Sequence, residues 1–427
     1  MRKLNIRRAE LFFAGAILLG VMTGCSGGSA GGPSGAPFQP PAPANITLNF
    51  TRISVDAPGN VGWTTSIAVD PNGPGPTGSP RVRISYYDQG LRALRMATTD
   101  AAGGLAPTLE TVDSAFNPGQ YNSNSWSFGE TNATDYNKGS AGVGRFMGGA
   151  NSTLDPEPNF GAFVDSALIE TPACVLRAAA YTGMTTINPL VRRAQVRFFV
   201  AYEQPCSARP PVIEIVDDAP ANAGSFAYTS LAQDPVDGTI EIWYRDQHGK
   251  LRRASREPDS LVFNIINPRR TIPGIINVGQ TTVAIGADGT RVVAYNCLDS
   301  AGQWGICLLK RRSGSPQDEF RVARGVVMMT PSAMVCCADL DGDGLPDIVI
   351  AGYRTSTKDL VLVAFEHGDI HFPYLVEVDT GGDTGKYAAL AMDGAGCLHT
   401  SYVRADSAND LKYATNWDPA GCGLPAP

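Results

Sequence analysis

One unit recurs along this chain, and its recurrence limits the fold more than any other feature. ISVDAPGNVGWTTSIAVDPNG…PRVRISYYDQGLRALRMA begins at Ile53, IEIVDDAPANAGSFAYTSLAQDPVDGTIEIWYRDQHGKLRRAS at Ile213, and VEVDTGGDTGKYAALAMDGAGCLHTSYVRADSANDLKYAT at Val376. Each contains a Val-Asp strand, a loop and a strand of small residues ending near Asp. A turn, an alternating strand around a Tyr and a Leu-x-x-Ala strand follow. Looser copies start at Thr281 and Ser332. A unit that cannot bury its own apolar face must stack on its neighbours. Four short alternating strands joined by Gly/Asp turns are what a propeller blade requires. The expected fold is therefore all-β: a β-propeller of four-stranded blades spanning 46–427. Short strands alone do not force radial closure, so an array of β-sandwiches is the alternative.

The blade count rests on spacing. If the Val-Asp strand opens each blade, its landmarks fall at Asp56, Asp113, Asp217, near Thr271, near Ala323 and at Asp379, with intervals of 57, 104, 54, 52 and 56 residues. The 104-residue gap hides one more blade or an insertion. Asp165 lies 52 residues from each neighbour and favours seven blades. The stretch GETNATDYNKGSAGVGRFMGGANSTLDPEPN, polar and poor in strand pattern, favours an inserted loop on six. Six or seven blades are expected, seven being slightly favoured.

The first 24 residues read as an export signal. Arg2, Lys3, Arg7 and Arg8 precede the twelve-residue apolar run LFFAGAILLGVM, too short for a span, which needs about 20. VMTGC then resembles a bacterial lipobox, which implies lipidation of Cys25 as the mature N-terminus. Ser26 in the next position resembles lipoproteins sent to the outer membrane. Residues 25–45 are rich in Gly, Ser, Ala and Pro and should form a flexible tether. The expected location is the cell envelope, with membrane contact through the lipid anchor alone.

Eight cysteines remain besides Cys25, an even number suited to disulfides in an oxidising compartment. Proximity suggests Cys297–Cys307 across a turn, Cys397–Cys422 tying the C-terminal tail to the last sheet, and Cys174–Cys206. Adjacent Cys336 and Cys337 bridge each other, pair elsewhere or stay reduced. Lys+Arg 34 against Asp+Glu 41 gives a net charge of −7. Losing residues 1–24 removes four cations and Glu10, leaving about −10. That balance excludes nucleic acid as the main partner, which needs a clustered cationic surface. A monomer is expected.

One motif carries chemistry of its own: Asp339-Leu340-Asp341-Gly342-Asp343-Gly344-Leu345-Pro346-Asp347. Carboxylates at alternate positions converge if the backbone wraps a centre, and a hard cation then stabilises them. Asp339, Asp341, Asp343 and Asp347 are the expected calcium ligands, with the Leu345 carbonyl completing the set. Ile350 stands where an EF-hand has its bidentate Glu, so this is not an EF-hand. The loop resembles the FG-GAP/VCBS (integrin alpha N-terminal-like) type. Together with the SYYD segment, the blade pattern resembles repeats of secreted bacterial propeller lipoproteins over about 48–427.

Tyr87, Tyr244 and Tyr402 are read as matched blade positions, followed by Asp88, Asp246 and Asp406. Repeat packing and turn capping explain them; a ring of aromatic and acidic groups at one propeller mouth is the functional alternative. His367 and His371, with Glu366 and Asp369, read as a solvated loop. No HExxH or P-loop is present, nor is the Ser-x-Asp-x-Gly-x-x-Trp box of sialidase blades. The arginine pairs 192–193, 252–253, 269–270 and 311–312 are expected beside outer strands, facing solvent. Binding of a glycan, protein or envelope component is the expected function, with no catalytic residues assigned. A carbohydrate-active hydrolase or lyase in the funnel, or a structural envelope protein, are the alternatives. If calcium fills the acidic loop, Asp341→Ala lowers the melting temperature by several degrees in calcium and not in chelator. Equal losses in both buffers would refute the assignment.

Overall fold

A computed structural model of the chain describes residues 49–422 except 58, 75–77, 103–105, 116, 127–131, 171–174, 189–190, 203–209, 221–224, 258–261, 267–274, 313–318, 339–346, 366–372, 407–408 and 419–421. Seven antiparallel sheets follow one another along the chain. Their innermost strands are Trp63–Pro74, Asn122–Trp126, Phe160–Glu170, Ala227–Gln233, Ile275–Ile285, Met334–Ala338 and Thr384–Met392, which number the blades 1 to 7. Each inner strand packs on the next, and that of blade 7 packs on that of blade 1, so the ring closes. The fold is a seven-bladed β-propeller. Blade 6 carries an additional short strand, Val326–Val327. The 3-10 turn Gly139–Ala141 is the only helix among the described residues.

Closure uses both ends of the described chain. Thr51–Asp56 pairs antiparallel with Asp410–Thr415, setting Arg52 opposite Ala414 and Ile53 opposite Tyr413. The Val-Asp strand thus completes the preceding blade and does not open its own. The same shift applies at Thr108–Asp113, Val212–Pro220 and Pro373–Asp379, each the outer strand of its sheet. Asp165, the landmark that favoured seven blades, lies on the inner strand of blade 3; the outer-strand equivalent is Asp155. The polar stretch after Thr131 is no insertion. Asn132–Asn137, Val143–Met147 and Ala150–Asp155 form the outer three strands of blade 2. Its alternation is hidden because a buried ion pair, Arg145 Nε to Asp135 Oδ1 at 2.6 Å and Nη2 to Oδ2 at 2.7 Å, occupies positions that blade 3 fills with Ala180 and Phe198 and blade 5 with Ala294 and Leu308.

Apolar side chains on both faces of each blade form seven clusters, one in each blade–blade interface. Within this packing runs a repeated polar clasp. A buried tyrosine on a second strand donates its hydroxyl to the Val-Asp or equivalent aspartate of the previous blade's outer strand. The distances are 2.5 Å for Tyr86–Asp56, 2.8 Å for Tyr136–Asp113, 2.9 Å for Tyr181–Asp155, 2.7 Å for Tyr244–Asp217 and 2.7 Å for Tyr402–Asp379. Arg95, Arg197 and Arg252, opposite their tyrosines on the third strands, reach the same aspartates at 2.6, 2.8 and 3.2 Å. Burial, together with the aspartate charge, pushes these phenols far above their ordinary pKa. They remain donors throughout the physiological range.

The matched residue of SYYD is therefore Tyr86, not Tyr87, whose hydroxyl goes to Asn117. Asp88 and Asp246 cap turns, accepting from the amides of Leu91 and of His248 and Lys250, while exposed Asp406 pairs with Arg404. Arg192–Arg193, Arg252–Arg253 and Arg311–Arg312 lie on or beside third strands, and Arg269–Arg270 lie outside the described residues. Arg252 and Arg253 are drawn into ion pairs and do not face solvent freely. Cys297 and Cys307 are disulfide-bonded across the second and third strands of blade 5, and Cys397 and Cys422 fasten the tail to blade 7. Cys336 is also disulfide-bonded. Cys25, the tether, Cys174, Cys206, His367 and His371 lie outside the described residues.

Tyr295 occupies the same place in blade 5, buried, with no hydrogen-bond partner for its hydroxyl among the described residues. It supplies an internal control. Tyr244→Phe should cost about 1–3 kcal/mol, the range for a bond to a charged group plus an unsatisfied acceptor. Tyr295→Phe should cost less than half of that. Chemical denaturation of the two variants beside the parent checks the contrast.

Candidate functional site

The inner strands begin with a shared irregularity. Ladder pairing slips between Trp63 and Ser66, Ala162 and Asp165, Ala227 and Ser230, Val278 and Thr281, and Lys386 and Ala389. At four of these bulges a non-glycine residue takes a left-handed backbone: Thr64 at φ 50°, Phe163 at 55°, Tyr228 at 59° and Tyr387 at 53°. Bulky residues there cost of order 1–3 kcal/mol each, so the surroundings must hold them. Threonines of following blades do so. The Thr65 hydroxyl donates to the Tyr387 carbonyl at 2.6 Å, and Thr229 and Thr281 donate to the carbonyls of Phe163 and Tyr228. Glycine permits the approach two residues before Tyr387 and Tyr121. A Cβ on Gly385, at φ 94°, would lie 2.6 Å from the Leu360 Cα, and one on Gly119 would lie 2.8 Å from the Leu94 Cβ.

The bulges direct a collar of aromatic rings toward the axis. Phe163 meets Tyr121 at 4.6 Å between centroids and Tyr228 at 4.5 Å, while Trp63 meets Tyr387 at 5.1 Å. All five are half-buried. Burial raises the pKa of Tyr121, with the Tyr228 phenol adding to it; burial, followed by the Tyr121 phenol, pushes Tyr387 up to about 12. Phenols from blades 2, 4 and 7 are thus close enough to feel one another's charge. Unlike the clasp tyrosines, these three hydroxyls make no hydrogen bond to a described residue. Arg245 lies over the Tyr228 ring at 5.2 Å.

Beneath the collar a hydrogen-bonded belt joins the inner strands. Asp165 accepts from Ser123 at 3.1 Å, from Ser230 at 3.1 Å, and from the amides of Ser166 at 3.1 Å and Leu231 at 2.9 Å. Burial nonetheless raises its pKa. Ser66 accepts from the Asn124 amide at 2.9 Å and lies 3.4 Å from Ser332. Ser66, Ser123 and Ser230 are fully buried. With all its lone pairs engaged across three blades, Asp165 serves the ring's geometry.

Metal chemistry finds no second home among the described residues. Asp393, Cys397 and Cys422 converge, but both sulfurs belong to the disulfide. Of the acidic loop, Asp339, Asp341, Asp343 and Leu345 lie outside the described residues. Ala338 and Asp347, which bracket it, pair with each other where the inner strand of blade 6 ends, away from the collar, which forms where inner strands begin. The ring of Tyr87, Tyr244 and Tyr402 considered in the sequence is not the collar: Tyr244 and Tyr402 lie between blades, Tyr87 bonds Asn117, and other aromatic residues form the collar. Three of the five collar rings follow a pattern that sequence reading missed, Gly-x-aromatic: Gly119-x-Tyr121, Gly161-x-Phe163 and Gly385-x-Tyr387.

No protein-family model matches the chain, and no curated protein matches it. Among solved structures it is similar to the six-bladed propeller of Aleuria aurantia lectin, a fungal lectin described with fucose recognition, at 13% identity and TM-score 0.44 over 76% of this chain and 98% of that one. It is also similar to a leech intramolecular trans-sialidase, at 12% identity and TM-score 0.43 over 86% and 69%. For an intramolecular trans-sialidase of Ruminococcus gnavus the values are 11% and 0.41 over 84% and 95%. Likeness at this level does not reach side chains, and the site stands on this chain's own residues.

Tyr387 gives the collar an alkaline signature. Its raised pKa means that the folded state favours the neutral phenol, so the associated stability is whole below pH 10 and is lost as pH rises toward 12. The melting-temperature difference between the parent and Tyr387→Phe should stay constant from pH 7 to 9. Across the next two pH units it should move against the parent.

Proposed function

We propose that this protein is a binding module that holds a glycan at the axial collar. The observation that carries the reading is the contrast between two sets of tyrosines. Those between blades are fully buried and hydrogen-bonded to aspartate. Tyr121, Tyr228 and Tyr387 offer ring faces at one mouth and hydroxyls without a partner among the described residues. A sugar presents C–H faces to such rings and hydroxyls to such phenols, and rigid aromatic anchors lose little conformational freedom on binding. Export with a lipid anchor at Cys25 is part of the proposal, supported by the disulfides Cys297–Cys307 and Cys397–Cys422, which persist in oxidising compartments. Calcium at Asp339–Asp347 would supply charge neutralisation for the carboxylates of the blade 6 hairpin, remote from the collar.

The test is a broad glycan array with the purified full-length protein, followed by titration of any sugar retained. Tyr228→Asn keeps a residue tolerant of positive φ and removes the ring; Tyr121→Ala removes a neighbour. Each should weaken binding about ten- to a hundredfold, the effect of losing a central aromatic anchor, with little change in melting temperature. Unchanged affinity in both folded variants would refute the site. Release of a shortened sugar during the titration would replace binding by hydrolysis.

A further inference from the structure

Resting on that reading, we infer that the glycan carries a carboxylate and that Arg245 is the residue that selects it. Arg245 closes the second strand of blade 4, opposite Ala227, the residue before Tyr228. It is half-buried, and its guanidinium lies over the Tyr228 ring at 5.2 Å. Its Nε is shut off from solvent and makes no hydrogen bond. No carboxylate meets it among the described residues.

An unbonded Nε is shared with Arg83, Arg95, Arg253 and Arg256, so it is the missing acid that sets Arg245 apart. Arg95, Arg145, Arg197, Arg252, Arg253, Arg256 and Arg291 each reach an acid at 2.6–3.2 Å. The acids around the mouth are already engaged. Asp246, next in sequence, accepts from the amides of His248 and Lys250 and from Arg252 Nε at 3.0 Å. Asp383 accepts from Tyr353 at 2.9 Å and from Lys386 at 2.8 Å, which also takes the other collar cation out of contention. Asp165 is enclosed in the belt. A partly dehydrated guanidinium without an acid is costly unless an anion completes it, and its planar fork matches a carboxylate in two parallel hydrogen bonds. A sugar ring stacked beside Phe163 and Tyr228 would place a carboxylate substituent near that fork. The net charge of −7 gives no general attraction for anions, so selection must be local.

The test compares acidic oligosaccharides containing uronic or sialic acids with the same oligosaccharides after reduction of the carboxyl to a primary alcohol. Reduction leaves the ring and stereochemistry in place. The parent should bind the acidic form about tenfold or more tighter, and rising salt should narrow the gap. Arg245→Met should shrink the difference to less than about threefold, and Arg245→Lys, which keeps the charge and loses the fork, should fall between. Melting temperatures confirm that each variant is folded. Equal binding of acidic and reduced sugars by the parent would overturn the role of Arg245 and leave the collar as a neutral-sugar site. A difference that survives in Arg245→Met would overturn it too. Binding of no glycan by the folded parent would overturn the glycan reading itself.

Discussion

The tyrosine–aspartate clasp is the interaction on which the ring depends. Apolar clusters fill every interface between blades, but such packing is non-directional and would tolerate a range of tilts. A hydroxyl set 2.5–2.9 Å from a carboxylate on the adjacent sheet fixes the register between blades. Where arginine joins, as at Arg95, Arg197 and Arg252, the buried carboxylate is neutralised as well as bonded. This explains why the Val-Asp strand must belong to the preceding blade. The aspartate has to project across an interface, and only an outer strand can offer it to the second strand of its neighbour. At the junction of blades 7 and 1 the clasp Tyr86–Asp56 also locks the strand that closes the ring.

With inter-blade geometry fixed, the ring can hold strain at its axis. Phe163, Tyr228 and Tyr387 adopt a backbone that such residues avoid. Each is retained because the strand after it pairs normally and a threonine hydroxyl of a following blade captures its carbonyl. The consequence is directional. An extended strand would turn these rings along the sheet faces and into the interfaces, as with the clasp tyrosines; a left-handed bulge turns them toward the axis. Strain and ring orientation are thus one feature, and its position at the mouth links the fold to binding.

How much of this was legible depended on which force dominated locally. Blades held by alternating apolar residues declared themselves, as at Ile213–Ser255. Blade 2 did not, because Asp135 and Arg145 replace an apolar pair with a buried ionic one that a hydrophobic pattern cannot register. The choice of Tyr87 over Tyr86 failed for a similar reason. Two adjacent tyrosines point to opposite faces of a strand, and their partners, Asp56 and Asn117, lie in other elements. Nearby cysteines across one hairpin, Cys297 and Cys307, were readable because little chain separates them. The collar was hidden, since its rings come from blades 1, 2, 3, 4 and 7 and meet only through closure.

Two ends of the molecule therefore do different work. Inner strands start at the collar and end toward the loops that join them to second strands, where the acidic segment of blade 6 begins after Ala338. A cation there would tighten one hairpin without touching the rings. At the collar the reverse holds: polar capacity is left over in the hydroxyls of Tyr121, Tyr228 and Tyr387 and in the guanidinium of Arg245. The belt beneath differs, with four donors on the single carboxylate of Asp165. Groups left without partners among the described residues, gathered on a strained rim, are what the proposed binding would use.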